Sequence, residues 1–173
     1  PLPWATLLPG TRTVTPDVHL RLARTSDIRD IAVMSRCLIE VGLRGWSWHP
    51  TRVARALNGR DCSVVVADVG QRLAGFAIAE FGDRTAHLSL LAVQPAQQRR
   101  GIGVALIDWL IESALTAGIT HIHVEMRANN FAARSFYEAL GFSHNGEIRG
   151  YYQNIETAIR MQRQIGRLTA VEK

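Results

Sequence analysis

Cysteine is scarce in this 173-residue chain, where only Cys37 and Cys62 occur. Neither belongs to a CxxC pair or stands near another ligand-type residue, so no disulfide framework is expected and a reducing compartment is the default. Lysine is scarcer still. Lys173 is the only one, and nearly all the positive charge is arginine. No apolar run approaches the length of a membrane span. Proline is concentrated rather than spread: four of the six prolines fall before Val18. The opening Pro1–Gly10 stretch is too proline-broken for a signal-peptide core. These absences predict a cytoplasmic protein with no membrane partner.

What is present fits one domain. The chain is 47% hydrophobic and 20% charged, ordinary for a globular protein with a sizeable core. Its net charge of +5 and pI near 10.0 suggest an anionic partner, whether nucleotide phosphates, nucleic acid or an acidic surface. The arginines are scattered and form no nucleic-acid recognition motif, so nucleic acid is disfavoured.

Residues 1–17 lack periodicity and read as an N-terminal arm. His19–Arg24 alternates as a strand. Thr25-Ser26-Asp27 offers N-cap residues for a helix running to about Glu40. Trp46–Pro50 is an aromatic loop, followed by a short helix to Leu57 with proline in its first turn. Strands are expected over 61–68, 73–81 and 86–93. A helix follows from about Gly101 to Ala117, with Gly118 as its stop signal. Next come a strand over 119–126 and a helix over 131–140 capped by Asn130. Strands over 142–149 and 158–164 close the order, joined by Gly150–Asn154. The whole is a mixed α/β domain over 18–165 with a tail over 166–173.

The most informative stretch is Gln94-Pro95-Ala96-Gln97-Gln98-Arg99-Arg100-Gly101-Ile102-Gly103-Val104-Ala105-Leu106. It joins a strand ending near Val93 to a helix starting near Gly101. Such a turn presents unpaired backbone N–H groups at a helix N-terminus, where the macrodipole favours negative charge. Its glycines permit close approach to the backbone. It reads as a pyrophosphate-binding turn, or as an ordinary basic connection. A dinucleotide fingerprint is the tempting rival, and Glu125 even lies at the end of the next strand. Leu106 stands where a third glycine is needed, however, and the loop after Val93 is too long. No Gly-Lys-Ser/Thr follows, which excludes a P-loop.

Gln98-Arg99-Arg100-Gly101-Ile102-Gly103 resembles the pyrophosphate motif of the GNAT acyltransferase superfamily. Glu125-Met126-Arg127-Ala128-Asn129-Asn130, running on through Tyr137 to Gly141-Phe142, resembles the Asn/Tyr block of the same family. Both blocks, their spacing and the element order agree over roughly His19 to Gln164. Glu-x-Arg before the Asn, with Tyr151-Tyr152, Glu156-x-Ala158 and Met161, looks most like the ribosomal-protein alanine N-acetyltransferase branch. The resemblance implies a mixed, mostly antiparallel sheet flanked by helices, with a splayed strand pair forming a CoA cleft. It implies acetyl-CoA as co-substrate, no metal, and transfer of an acetyl group to a primary amine by direct attack. The acceptor would be a protein N-terminus or a small-molecule amine. A non-catalytic CoA-binding or regulatory domain is the alternative, and a homodimer is an open assembly.

By the same resemblance, the amides of Arg99 through Val104 hold the pyrophosphate, with Gln98, Arg100, Gly101, Ile102 and Gly103 in that turn. The strand edge at Leu91, Ala92 and Val93 holds the pantetheine. Asn130 contacts CoA, Glu125 is the general base, and Tyr137 is the general acid toward the sulfur. Burial beside apolar strands is expected to raise the Glu125 pKa. Taken alone, Tyr137 reads as a core residue and Glu125 as a solvated carboxylate. His121, His123 and Glu125 share one strand face. Positions i and i+4 on a strand lie about 13 Å apart, so these three converge poorly on a metal. Trp46 and Trp48 either wall an acceptor pocket or plug the core, and Tyr151 and Tyr152 lean toward acceptor contact.

Overall fold

The computed structural model describes residues 12–15 and 17–166. Most of the arm expected over 1–17, and the tail beyond Gly166, therefore lie outside the described residues. The exception in the arm is β1 (Arg12–Thr15), a strand where none was expected. It pairs antiparallel with β2 (Val18–Leu22) at the sheet edge. A 3-10 turn leads into α1 (Ile28–Leu38), and a loop leads to α2 (Pro50–Asn58). Strands β3 (Cys62–Val69), β4 (Arg72–Phe81) and β5 (Thr85–Val93) form a meander. Then follow α3 (Ile102–Thr116), β6 (His121–Arg127), α4 (Phe131–Ala139), β7 (Ser143–Tyr152) and β8 (Glu156–Gln164).

The sheet order is β1-β2-β3-β4-β5-β6-β8-β7. Only β5 and β6 run parallel. Alternation along each strand sends side chains to two cores. On β3, Val64 and Val66 join Ile31, Met34, Trp48 and Val53 beneath α1 and α2. Val65 and Ala67 join Leu106, Trp109 and Leu110 beneath α3. The helices are held by these apolar faces more than by propensity.

One irregularity shapes the site. In the β4–β5 ladder Ile78 faces Leu90 and Ala79 faces Leu88, which leaves Ser89 as an extra residue. A bulge bends and twists its strand. The β5–β6 ladder covers only Thr85–Leu88 against His121–Val124. Beyond it β5 stays with β4 while β6 stays with β8. The parallel pair thus splays into a cleft, and among the described residues the edge of β5 from Ser89 to Val93 has no strand beside it on that side.

At the other end the structure departs from expectation. Gly150, Tyr151 and Tyr152 belong to β7 rather than to the connection. Two register shifts absorb the extra residues, one between His144 and Glu147 and one between Ile148 and Tyr152. Gly150 supplies the left-handed backbone (φ 65°) that the second shift needs.

Candidate active site

The glycine turn forms at the end of β5. Gln98 Nε2 donates to Val93 O at 3.1 Å and folds the loop back on the strand. Arg99 and Gly101 take left-handed φ values of 65° and 80°. Gly101 is the N-cap of α3, with no side chain capping it among the described residues. The amides of Ile102, Gly103 and Val104 therefore face outward without carbonyl partners one turn back. Gly103 also packs closely on α4: a Cβ there would sit 3.1 Å from Phe136 Cζ, and that ring would have to give by a few tenths of an ångström. The Arg100 guanidinium is occupied elsewhere. It donates to Gln97 Oε1 and, at 2.5 Å, to Asp17 Oδ2. Ile102 buries its side chain in the core. For both residues the backbone amide, and not the side chain, is what the turn can offer.

A cavity of about 440 Å³ occupies the splay. Leu91, Glu125, Asn130 and Tyr137 all line it. Ala92 and Val93 continue the β5 edge past it, and residues 98–104 lie outside its lining. Asn130 caps α4 through Oδ1, which accepts from Ala133 N at 3.1 Å. Tyr137 is buried on α4 between Phe136 and Phe142, with edge-on ring contacts at 5.1 and 5.3 Å. Burial, with Tyr152 nearby, pushes its phenol pKa well up.

Glu125 is where the expectation fails. Its side chain is 3% exposed, and burial alone pushes the carboxyl pKa up. His87 and Arg160 more than reverse this, and the pKa falls to about 2. Arg160 Nε donates to Oε1 at 2.7 Å. His87 Nε2 lies 2.5 Å from Oε2. Oε2 accepts no hydrogen bond of normal angle, so the His87 contact is a close approach of imidazole to carboxylate. Both partners come from register: Arg160 faces Glu125 across β8, and His87 faces His123 across the parallel ladder. No sequence signal marked either partner, because pairing register is a tertiary property.

The other wall of the cavity also holds residues that the sequence did not flag. Glu40, 3% exposed, accepts the backbone N–H groups of Ser47 at 2.7 Å and Trp48 at 2.8 Å. Its position just past an amphipathic helix was the only clue. This fixes Trp48 against the core and along the cavity wall, whereas Trp46 stays exposed. Arg52 lies over the Trp48 ring, its Cζ 4.1 Å from the centroid. Across the cavity, Arg44 N donates to Gln153 Oε1 at 2.9 Å and Gln153 Nε2 donates to Arg44 O. Tyr151 and Tyr152 line the same cavity from β7.

Residues 30–142 match the Acetyltransferase (GNAT) family. The chain belongs to the GNAT acetyltransferase family. It is similar to the [ribosomal protein bS18]-alanine N-acetyltransferase of Salmonella typhimurium, 42% identical over 93 residues that cover 52% of this chain and 63% of that one. The Escherichia coli K12 protein of that name is 40% identical over 81 residues, covering 47% and 55%. The chain thus spans somewhat over half the length of these relatives. In solved structures, the ribosomal-protein-S18-alanine N-acetyltransferase from Escherichia coli superposes with TM-score 0.76 at 27% identity, covering 90% of this chain and 99% of that one. Ard1 from Thermoplasma volcanium superposes with TM-score 0.77 at 20% identity, covering 87% and 99%, a likeness of fold. The GNAT reading also explains the splay, which sets an open strand edge beside a helix N-terminus. Among the described residues, no helix is long and apolar enough to cross a membrane.

Proposed function

We propose that this GNAT protein transfers an acetyl group from acetyl-CoA to a primary amine in the cytoplasm. A protein N-terminus is the favoured acceptor, by likeness to relatives named for acetylating a ribosomal protein's alanine. One observation carries the reading. The splay sets a free strand edge and an uncapped helix N-terminus at one end, with a buried phenol and a paired carboxylate on its wall.

The amides of Arg99 through Val104 receive the pyrophosphate. The open edge at Leu91, Ala92 and Val93 receives the pantetheine amides, with Asn130 at the α4 end. The amine nitrogen attacks the thioester carbonyl carbon, the C–N bond forms and the C–S bond breaks. The amine's proton leaves to His87, and Glu125 holds the imidazolium so formed. A carboxylate with a pKa near 2 is a poor proton store, but it stabilises a cation well. An α-amine, with an ordinary pKa near 8, asks little of such a pair. Tyr137 donates a hydrogen bond to the departing sulfur, and its raised pKa keeps that hydroxyl protonated.

Isothermal titration with acetyl-CoA tests the donor half. The expected result is saturable binding, and none up to millimolar concentration would sink the reading. A free-thiol assay over peptide N-termini, polyamines and aminoglycosides tests the acceptor half. Thiol release with an N-terminal peptide is expected. Binding without release across the whole panel would make the domain a CoA-binding one instead.

A further inference from the structure

Two imidazoles and a carboxylate meet where β5 and β6 part. His87 and His123 are direct partners in the parallel ladder. Their rings stack with centroids 4.8 Å apart and planes 10° from parallel. Glu125, two residues further along β6, projects from the same face. One nitrogen from each ring and one carboxylate oxygen all lie within 4.8 Å of one another. Ligand atoms around a tetrahedral zinc ion, with bonds near 2.1 Å, stand roughly 3.4 Å apart. To bind one ion the donors must close to that spacing, and one imidazole must turn out of the stack so that both ring nitrogens aim at it. The carboxylate is already arranged as a ligand would be. Oε2 is buried and already lies 2.5 Å from His87 Nε2, while Oε1 is held by Arg160 as an outer partner holds a ligating group. The set comes from two strands, which overcomes the poor convergence of three residues along one.

The geometry points to a site for a divalent transition metal of the zinc class on His87, His123 and Glu125, at which the bound ion blocks acetyl transfer. The ion takes the place of the proton between His87 Nε2 and Glu125 Oε2. Each atom gives a lone pair to the metal, and the proton leaves to solvent. The fourth position opens on cavity space, since His87 and His123 also line a second cavity of about 620 Å³ beside α2. The neighbouring Arg160 cation weakens metal binding, which suits reversible inhibition rather than a permanent structural ion. The inhibition rests on the proposed pairing of His87 with Glu125 in transfer. The binding does not.

Tag-free protein titrated with Zn²⁺, and separately with Co²⁺ while the visible absorption is followed, tests the site. One ion per chain, proton release and an intense tetrahedral cobalt spectrum are expected. Replacing an outer partner of a metal costs 10–100-fold in affinity, so losing a ligand in His123→Ala should cost at least about tenfold. His123→Gln, closer in volume, should lose as much. His121→Ala, on the same strand but outside the cluster, should bind like the parent. No binding at concentrations on the order of 100 μM would overturn the site. So would parent-like affinity in both His123 variants, or equal loss in His121→Ala. Zinc that binds as expected without slowing transfer would overturn the inhibition. Metal-free protein that transfers no acetyl group would overturn the functional reading and leave the site standing.

Discussion

Glu40 Oε1 accepts the backbone N–H of Trp48 at 2.8 Å, and that bond positions an aromatic wall of the cavity. The carboxylate is buried and also serves Ser47 N. Glu40→Ala leaves two amides without an acceptor, and an unmade buried hydrogen bond costs about 1–3 kcal/mol. Reduced stability in urea denaturation is expected, with a raised KM for the acceptor and little change for acetyl-CoA. Equal changes in both KM values would contradict the assignment of this loop to the acceptor side.

Glu125→Gln and His87→Ala should each lower kcat/KM for the amine by about 10²–10⁴, the range typical of positioned acid–base groups. The acetyl-CoA Kd should move little, because neither residue lies on the glycine turn. Steady-state kinetics beside calorimetry separates the two effects. Full activity in both variants would refute the proton route.

Tyr137→Phe removes one donor from a buried hydroxyl while keeping the ring between Phe136 and Phe142. A single preorganised donor to developing charge is worth about 10²–10³ in kcat. The expected result is a lower kcat with unchanged thermal stability. A large loss of stability instead would mark Tyr137 as a packing residue.

Gly101→Val should hurt donor binding first. Gly101 has φ 80°, which a β-branched residue adopts only with strain of about 1–3 kcal/mol. No atom crowds a Cβ there, so the cost is backbone strain and a displaced turn. Calorimetry should show weaker acetyl-CoA binding, with Gly101→Ala intermediate.

Acid should expose the Glu125 pairing. Its carboxyl ionises near 2 in the fold against an ordinary 4.5. A depressed carboxyl stabilises the fold above the unfolded pKa, and that stability is lost as pH falls through the folded one. Stability should therefore drop between about pH 4.5 and 2. Glu125→Gln should flatten that part of the urea-midpoint profile.

The element order was legible because it rests on local signals. Alternation marked β2, β-branched residues marked β3, and Gly118 and Asn130 marked helix ends. The two glycine and asparagine blocks carried the family. What stayed illegible depends on register. Burial of Glu125 could be guessed, and so its pKa was expected to rise. The direction turned on His87 and Arg160, which are brought in by a parallel ladder and a distant last strand. Likewise β7 runs through Tyr151 and Tyr152 because register shifts absorb its extra residues, and Gly150, which serves one of them, reads in sequence as the start of a turn.

The four-residue ladder between β5 and β6 has a mechanical meaning. On either side of it the sheet is an antiparallel ribbon, β1 to β5 and β6 to β8. The two ribbons are sewn together at one short seam and gape beyond it. The gap can widen by flexing at that seam without breaking any antiparallel ladder. A molecule lying in the gap and bonding both lips acts as a staple. Occupancy should then slow amide hydrogen exchange along the seam itself, at residues 85–88 and 121–124, and not only where the ligand touches.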